Sequence, residues 1–270
     1  MSNMALHVDG HLLQVDWARP ARIARVLQFD ATAVQPFGAP AAHAQAMQIG
    51  HFSASVARGA SCNCNTITLT PHCNGTHTEC VGHLTIEALN VCDVAPLGPL
   101  PARLLTVQPI DALSCGERVD AASAAGDLVV TRAALHASYR AAATAGNSAS
   151  NNPIKIVALV LRTRPESQGV YLTLDAALWL VEQHIEHLVV DQFSIDRSDD
   201  GGKLSVHRCF FGLPAGSTRL ADARRAHCTV TELAQIDDAL RDGTYLLQLQ
   251  VAAIAGDAAP SAPLLFACIS

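Results

Sequence analysis

The sequence predicts a mixed α+β chain in which strands outnumber helices. Two observations carry that class. Short alternating or apolar runs, bounded by turn residues, recur along the whole length, which is how strands read in a sequence. Helical patterns alternate with them only through the middle, where the apolar run 154–161 precedes a helical segment at 174–187 and a second apolar run at 188–191.

In chain order, residues 7–19 alternate apolar and polar positions around Asp9-Gly10 and read as a hairpin. Residues 33–50, rich in Ala, Gln and His with prolines, read as a long irregular arm. Asn65-Thr66-Ile67-Thr68-Leu69-Thr70 alternates as a strand does, and residues 100–109 form another around Leu104-Leu105-Thr106-Val107. Residues 131–143 have helical composition, with Leu135 and Tyr139 four apart on one face. The run 154–161 is apolar except for Lys155, as a central strand covered on both faces would be. Residues 174–187 form an amphipathic helix that presents Ala177, Leu178, Val181 and Ile185, and 188–191 follow as a buried strand. The last strands fall at 244–253 and 264–269, and the Ala-, Ser- and Asn-rich stretch 141–152 is a flexible loop. With no internal repeat, low-complexity tract or linker, a single domain over 1–270 is expected.

Composition narrows the function. Half of the residues are hydrophobic and 16% are charged, so the chain folds rather than staying disordered. Lys155 and Lys203 are the only lysines and the arginines are scattered, so no basic stripe suits nucleic acid. The first residues lack the basic region and apolar core of a signal peptide, and no run is long enough to span a bilayer. A soluble, cytoplasmic protein with no membrane partner is expected. The nine cysteines, odd in number and dispersed, are expected to be reduced and mostly buried.

The densest chemistry lies in Pro71-His72-Cys73-Asn74-Gly75-Thr76-His77-Thr78-Glu79-Cys80-Val81-Gly82-His83. Imidazole, thiolate and carboxylate are the side chains that bind divalent transition metals. His77 and Glu79, two apart, leave the same face of extended backbone, whereas Cys73 and His77, four apart, suit a helical turn. Both cannot hold in one regular element, so a tight turn at Gly75 is expected. The alternative, histidines that hydrogen-bond locally and cysteines that pack, would win for a lone histidine; six potential ligands between residues 72 and 83 favour a metal site.

A second constellation runs through Asp191-Gln192-Phe193-Ser194-Ile195-Asp196 to His207, beyond a buried strand, where open α/β sheets place ligands. Ser194 and Asp196 read equally well as site residues or as structural ones, and 199–203 as a solvated turn. Taken alone, Glu232 reads as a surface glutamate near a helix start capped by Thr229. His184 and His187 read as surface or interface residues, Cys62 and Cys64 as core packing, and Trp17, Tyr171 and Trp179 as core. No phosphate-binding glycine loop or nucleophile-elbow serine is present.

Gly75-Thr76-His77-Thr78-Glu79-Cys80-Val81-Gly82-His83 resembles the H-x-G-T-H-x-D-x-P-x-H signature of the cyclase-like metal-dependent hydrolases, which include bacterial kynurenine formamidase and isatin hydrolase. Leu161-Arg162-Thr163, the segment from Val190 to Asp196 with His207, and Glu232 leading into Ile236-Asp237-Asp238 match in the same order, so the resemblance covers about residues 15–268. It implies a swivelling β/β/α single domain with one or two divalent ions, zinc or manganese. It implies hydrolysis of amide, formamide or lactone bonds in small molecules, with C–N bonds other than peptide bonds the leading class, and a homodimer or homotetramer. It also implies His77 and Glu79 as ligands, His83 as the proton-transferring histidine, and His207 and Glu232 as the groups that complete the metal centre and take part in catalysis. The departures are Cys73 at the first-histidine position, with His72 one residue earlier, Glu79 for the aspartate, and Val81 for the proline. The first ligand is therefore His72 or Cys73, and a thiolate there would favour zinc. Rival readings are a cyclase-like fold that binds a small ligand or metal without catalysis, and a structural metal at an oligomer interface.

Overall fold

The computed structural model describes residues 3–8, 10–30, 32, 35–119, 123–145, 154–167 and 169–269. Two compact units divide the chain, one formed by Met1–Arg25 with Thr76–Ser270 and the other by Val26–Gly75. The larger unit opens with an antiparallel pair, β1 (Asn3–Val8) and β2 (His11–Asp16), the hairpin that the alternation predicts. Gly10, at φ 80°, supplies the left-handed residue of its turn. Asp9 lies outside the described residues. A short β3 (Ala21–Arg22) follows.

The smaller unit holds β4 (His43–Ala46), β5 (Gln48–Ile49), β6 (Phe52–Ser53), β7 (Asn65–Thr68) and a one-turn helix, α1 (Pro71–Asn74). Its strands pair as two antiparallel couples, β4 with β7 and β5 with β6. The stretch expected to be an irregular arm therefore carries two strands, although residues 33 and 34 lie outside the described set. His43-Ala44-Gln45-Ala46 has no β-branched residue to announce it. Its pairing depends on the Thr- and Ile-bearing β7, with His43 opposite Thr68 and Ala44 opposite Ile67.

The larger unit resumes with β8 (His77–Glu79), α2 (Val91–Val94), β9 (Leu100–Val107), β10 (Ile110–Asp111) and β11 (Leu128–Val130). Next come α3 (Arg132–Ala145), β12 (Ala158–Thr163), β13 (Tyr171–Leu172), α4 (Leu174–Glu182), β14 (His187–Val190) and α5 (Ser205–Phe211). The chain ends with β15 (Thr229–Glu232), β16 (Gly243–Gln248), β17 (Ala258–Pro260) and β18 (Leu264–Ile269). The main sheet runs β1-β2-β18-β16-β9-β12-β14-β15-β8-β17, with β3 beside β18; a small sheet joins β10, β11 and β13. Its centre, β9-β12-β14-β15, is parallel, while β16 and β8 flank it antiparallel. This is the mixed α+β class the sequence predicts.

Every residue of β12 is buried, as a central parallel strand with both faces covered requires. Its period of two splits the core. Leu159 and Leu161 join Leu105, Leu188, Val190, Leu135 and Trp179 on one face, while Ala158 and Val160 join Ala102, Leu104, Val189 and Leu247 on the other. Arg162 is buried beyond them, where its guanidinium donates to Thr106 Oγ1 (2.7 Å) and to the Leu240 carbonyl (2.9 Å). That ties the 237–242 loop to the end of the strand.

Several expected boundaries move. The helix expected over 174–187 stops at Glu182, and His184 takes φ 57°, reversing the chain so that His187 opens β14. The strand expected over 244–253 stops at Gln248, and Gln250 takes φ 52°. The strand expected from residue 154 starts at Ala158. Of the flexible loop expected at 141–152, residues 141–145 belong instead to α3, and residues 146–152 lie outside the described set. Trp179 and Tyr171 are core as expected, and Trp17, half-buried, stacks on Phe266 with ring centroids 4.2 Å apart.

His187, expected at the surface, is buried against Thr229, its Nδ1 2.9 Å from the hydroxyl. Burial, with His227 and Arg225 adding to it, pushes this imidazole down to about 4. Between pH 6.5 and 4 the unfolded chain therefore binds a proton that the folded chain does not, so stability falls as the pH falls through that window. The loss should total about 3 kcal/mol from this group. Replacing it by a side chain that does not titrate, His187→Asn, should flatten that part of a urea-unfolding profile against pH. An unchanged slope would remove the assignment.

Candidate metal centre

β8 lies between β15 and β17, antiparallel to both, and the register sets the site. Glu232 stands directly opposite His77 across the β8–β15 ladder, and their side chains approach to 3.6 Å, Nε2 to Oε2. Glu79, two residues along, leaves the same face, as extended backbone requires. On the other face Thr78 bonds the Thr231 hydroxyl at 2.8 Å and that of Ser261 at 2.9 Å, which pins the strand from behind. The face that carries His77 and Glu79 is fixed by pairing rather than by a loop.

His207 reaches this face from α5. Its Nε2 lies 2.6 Å from Glu79 Oε1 and 3.4 Å from Glu232 Oε1, and its Nδ1 lies 2.6 Å from Asp196 Oδ2. Asp196 also accepts the Val206 amide (2.8 Å) and the His207 amide (3.0 Å), so one carboxylate holds both the imidazole and the backbone that carries it. Glu232 Oε1 accepts the Ile195 amide at 2.9 Å. Every one of these side chains is buried. Donor atoms of Glu79, His207 and Glu232 lie within 4.8 Å of one another.

The charge balance supports a cation. Burial disfavours an imidazolium at His207, yet Glu79's charge and the bonds to Asp196, Glu232 and Glu79 outweigh it and hold its pKa well above the ordinary histidine range. Carboxylates crowded around one buried imidazole are tolerable only with positive charge among them. A divalent ion on the Nε2 side can take the place of that proton, and an imidazole–carboxylate donor set suits zinc or manganese.

His83 follows on a 3-10 turn, Val81–Leu84. Its Nδ1 lies 3.3 Å from Asp257 Oδ2, and its ring centroid is 6.2 Å from that of His207. With a side chain 30% exposed, it sits at the boundary between the buried carboxylates and solvent. Gly82 permits the turn, because a Cβ there would fall 2.6 Å from the Leu89 carbonyl oxygen. Cys80, one of the six potential ligands, leaves the opposite face. It donates to that same carbonyl at 3.3 Å, and burial pushes its thiol up to about 11, so it is no thiolate.

The structure therefore gathers His77, Glu79, His207 and Glu232 in one place, with His83 beside them. His72 and Cys73 lie half-buried on α1 of the smaller unit, and a part for either in the centre rests on the sequence pattern. The tight turn expected at Gly75 is not there: Gly75 ends α1 in an extended conformation, at φ 177°. Glu232 is no surface residue at a helix start, because Thr229-Val230-Thr231-Glu232 pairs on both sides as β15. The turn at 199–203 exists, but Asp200 in it is buried and accepts the Gly202 and Leu204 amides. Cys62 and Cys64 are exposed rather than packed, while Cys80 and Cys228 are buried; all nine cysteines are free. Asp257 was not foreseen. It lies in the bend Ala255-Gly256-Asp257, and nothing around it in the sequence signals a histidine partner.

No helix among the described residues is long and apolar enough to cross a membrane. No curated protein sequence matches the chain. Among solved structures, isatin hydrolase A from Labrenzia aggregata, bound to benzyl benzoate, is similar at 14% identity, with 93% of this chain and 94% of that one covered and a TM-score of 0.57. Isatin hydrolase A from Ralstonia solanacearum aligns at 14% identity over 92% and 91%, with a TM-score of 0.56. A "predicted metal-dependent hydrolase" from Bacillus stearothermophilus aligns at 14% identity over 92% and 98%, with a TM-score of 0.53. At these identities the likeness is one of fold. The model of the Cyclase family, described as "Putative cyclase", matches residues 16–197, more than half of the sequence and the part that carries β8, His83 and Asp196; the chain belongs to that family.

Proposed function

We propose that the protein is a metal-dependent hydrolase acting on an amide, formamide or lactone bond of a small molecule. The observation that carries this reading is the buried Glu79–His207–Glu232 set, with His77 across the ladder and the half-exposed His83–Asp257 pair beside it. A divalent cation held by His77, Glu79, His207 and Glu232 would supply Lewis acidity, making water nucleophilic near neutral pH and polarising a carbonyl. The chain's own groups supply the rest. Asp196 keeps the proton of His207 on Nδ1 and its Nε2 free to ligate. Asp257 orients His83, whose exposed ring takes a proton from water and returns it to the leaving nitrogen or oxygen.

The test is turnover of N-formyl aromatic amines, cyclic amides and lactones by metal-loaded protein, compared with His83→Ala. Loss of about 10²–10⁴-fold in kcat with metal content unchanged is the expected result. Cys73, Glu79 and Val81 favour a second reading, a binding protein without catalysis. Tight ligand binding with no turnover by the wild type would select it over the hydrolase.

A further inference from the structure

One residue past Glu232 the backbone turns left-handed. Leu233 takes φ 56° although its side chain is bulky and buried. That region is uncommon for residues other than glycine, asparagine or aspartate, and a chain stays in it only where its surroundings over-determine it. Here the surroundings are hydrogen bonds at both ends of the residue. The Leu233 amide donates to the Gln192 carbonyl at 2.8 Å, and the Leu233 carbonyl accepts the Thr76 hydroxyl at 2.6 Å. Gln192 is fixed in turn, because its Nε2 donates to Thr163 Oγ1 at 2.6 Å. The following amide, that of Ala234, donates to the Val190 carbonyl at 3.0 Å.

Thr76 stands where this bond reaches the metal centre. In the β8–β15 register Glu232 faces His77 and Thr231 faces Thr78, so a continued ladder would set Thr76 opposite Leu233. The left-handed turn breaks the ladder there, and the Thr76 side chain takes over the cross-strand bond. Its Oγ1 also accepts the Arg25 amide at 2.8 Å, and its carbonyl accepts the Ser261 amide at 3.1 Å. Arg25, Leu233 and Ser261, from three distant parts of the sequence, thus meet at one threonine that is 4% exposed. Thr76 precedes His77 and Leu233 follows Glu232, so the bond clamps the two strands one residue away from side chains that approach to 3.6 Å.

We infer that Thr76 is a positioning residue of the metal centre: its hydroxyl, by holding Leu233 left-handed, fixes where the Glu232 carboxylate stands relative to His77. Anchoring of the strand alone would not need this arrangement. Thr78 already pins β8 from behind, and an extended Leu233 could prolong the ladder at no conformational cost. The strained backbone is kept one residue from a ligand instead, and strain of this kind gathers where it pre-organises a functional group. Threonine suits the task, since branching at Cβ restricts χ1 and so the direction of the hydroxyl. The inference rests on the metal centre proposed above and not on which bond is hydrolysed.

Thr76→Val keeps the shape of the side chain and removes the hydroxyl; Thr76→Ser restores it. The full-length wild type and both variants, shown folded by far-UV circular dichroism, are titrated with zinc and loaded with cobalt(II), whose visible bands report ligand geometry. The valine variant should bind zinc about 10–100-fold more weakly with shifted cobalt bands, and the serine variant should return both to near wild-type values. A valine variant that unfolds at lower urea yet keeps the wild-type zinc affinity and cobalt bands would make Thr76 an anchor of the fold only, and would overturn the inference while leaving the centre in place. A serine variant no better than valine would do the same. Leu233→Gly takes φ 56° with no Cβ penalty, so adding Thr76→Val to it should cost less than about tenfold in zinc affinity. A larger loss would break the link through Leu233, whether or not Thr76→Val folds on its own. A wild type that takes up neither ion would overturn the metal centre itself, and this inference with it.

Discussion

His207→Ala protein, loaded with zinc or manganese beside the wild type and dialysed, is expected to retain little metal. Turnover should fall by at least about 10³-fold, because without a cation the pKa of water returns from about 7 to 15.7. The size of the effect follows from His207's place, within 2.6 Å of Glu79 and 3.4 Å of Glu232, where it bridges the two carboxylates. Removing the imidazole leaves Glu79, Asp196 and Glu232 buried near one another with their charges uncompensated, so the variant should also unfold at lower urea. His77→Ala, which keeps His207 and its bonds, separates loss of metal from loss of fold. If both variants kept stoichiometric metal by atomic absorption, the centre would not be where we place it.

Asp196→Asn should act through His207. The carboxylate accepts the Nδ1 proton at 2.6 Å and two backbone amides of α5. An asparagine Oδ1 can still accept the Val206 amide, but its NH₂ would face Nδ1 and can only donate. The imidazole must then carry its proton on Nε2, the atom that has to ligate. Metal affinity should drop about 10–100-fold, with the fold retained. Isothermal titration with zinc checks the affinity, and far-UV circular dichroism the fold. An unchanged zinc affinity would mean that Asp196 only anchors the helix.

How far the sequence foretold this centre depends on where each signal resides. β9, β12 and β14 were legible because an apolar run with period two splits cleanly between two faces of one sheet, and their neighbours in sequence decide nothing more. β8 was legible for a local reason, since His77 and Glu79 need only extended backbone to share a face. Glu232 was not legible from its own surroundings. Its burial comes from β14 on one side and β8 on the other, partners more than 40 and about 150 residues away, and only the ordered family resemblance pointed to it. His187 was misread because the helical spacing of Ala177, Leu178, Val181 and Ile185 continues past the reversal at His184, where a single left-handed residue ends the helix. Asp257 left no trace because its pairing with His83 arises from a bend and not from any periodicity.

The position of β8 in the sheet has a consequence for synthesis. Both strands that flank it come from the far end of the chain, β15 at Thr229–Glu232 and β17 at Ala258–Pro260. At about 5–20 residues per second, the ribosome needs roughly 10–30 s after making β8 before β15 emerges. Through that interval the HTE strand waits with both hydrogen-bonding edges open and its ligands unassembled. A nascent chain arrested before residue 229 should therefore be unable to take up metal at this centre, and loading becomes a late event of biogenesis.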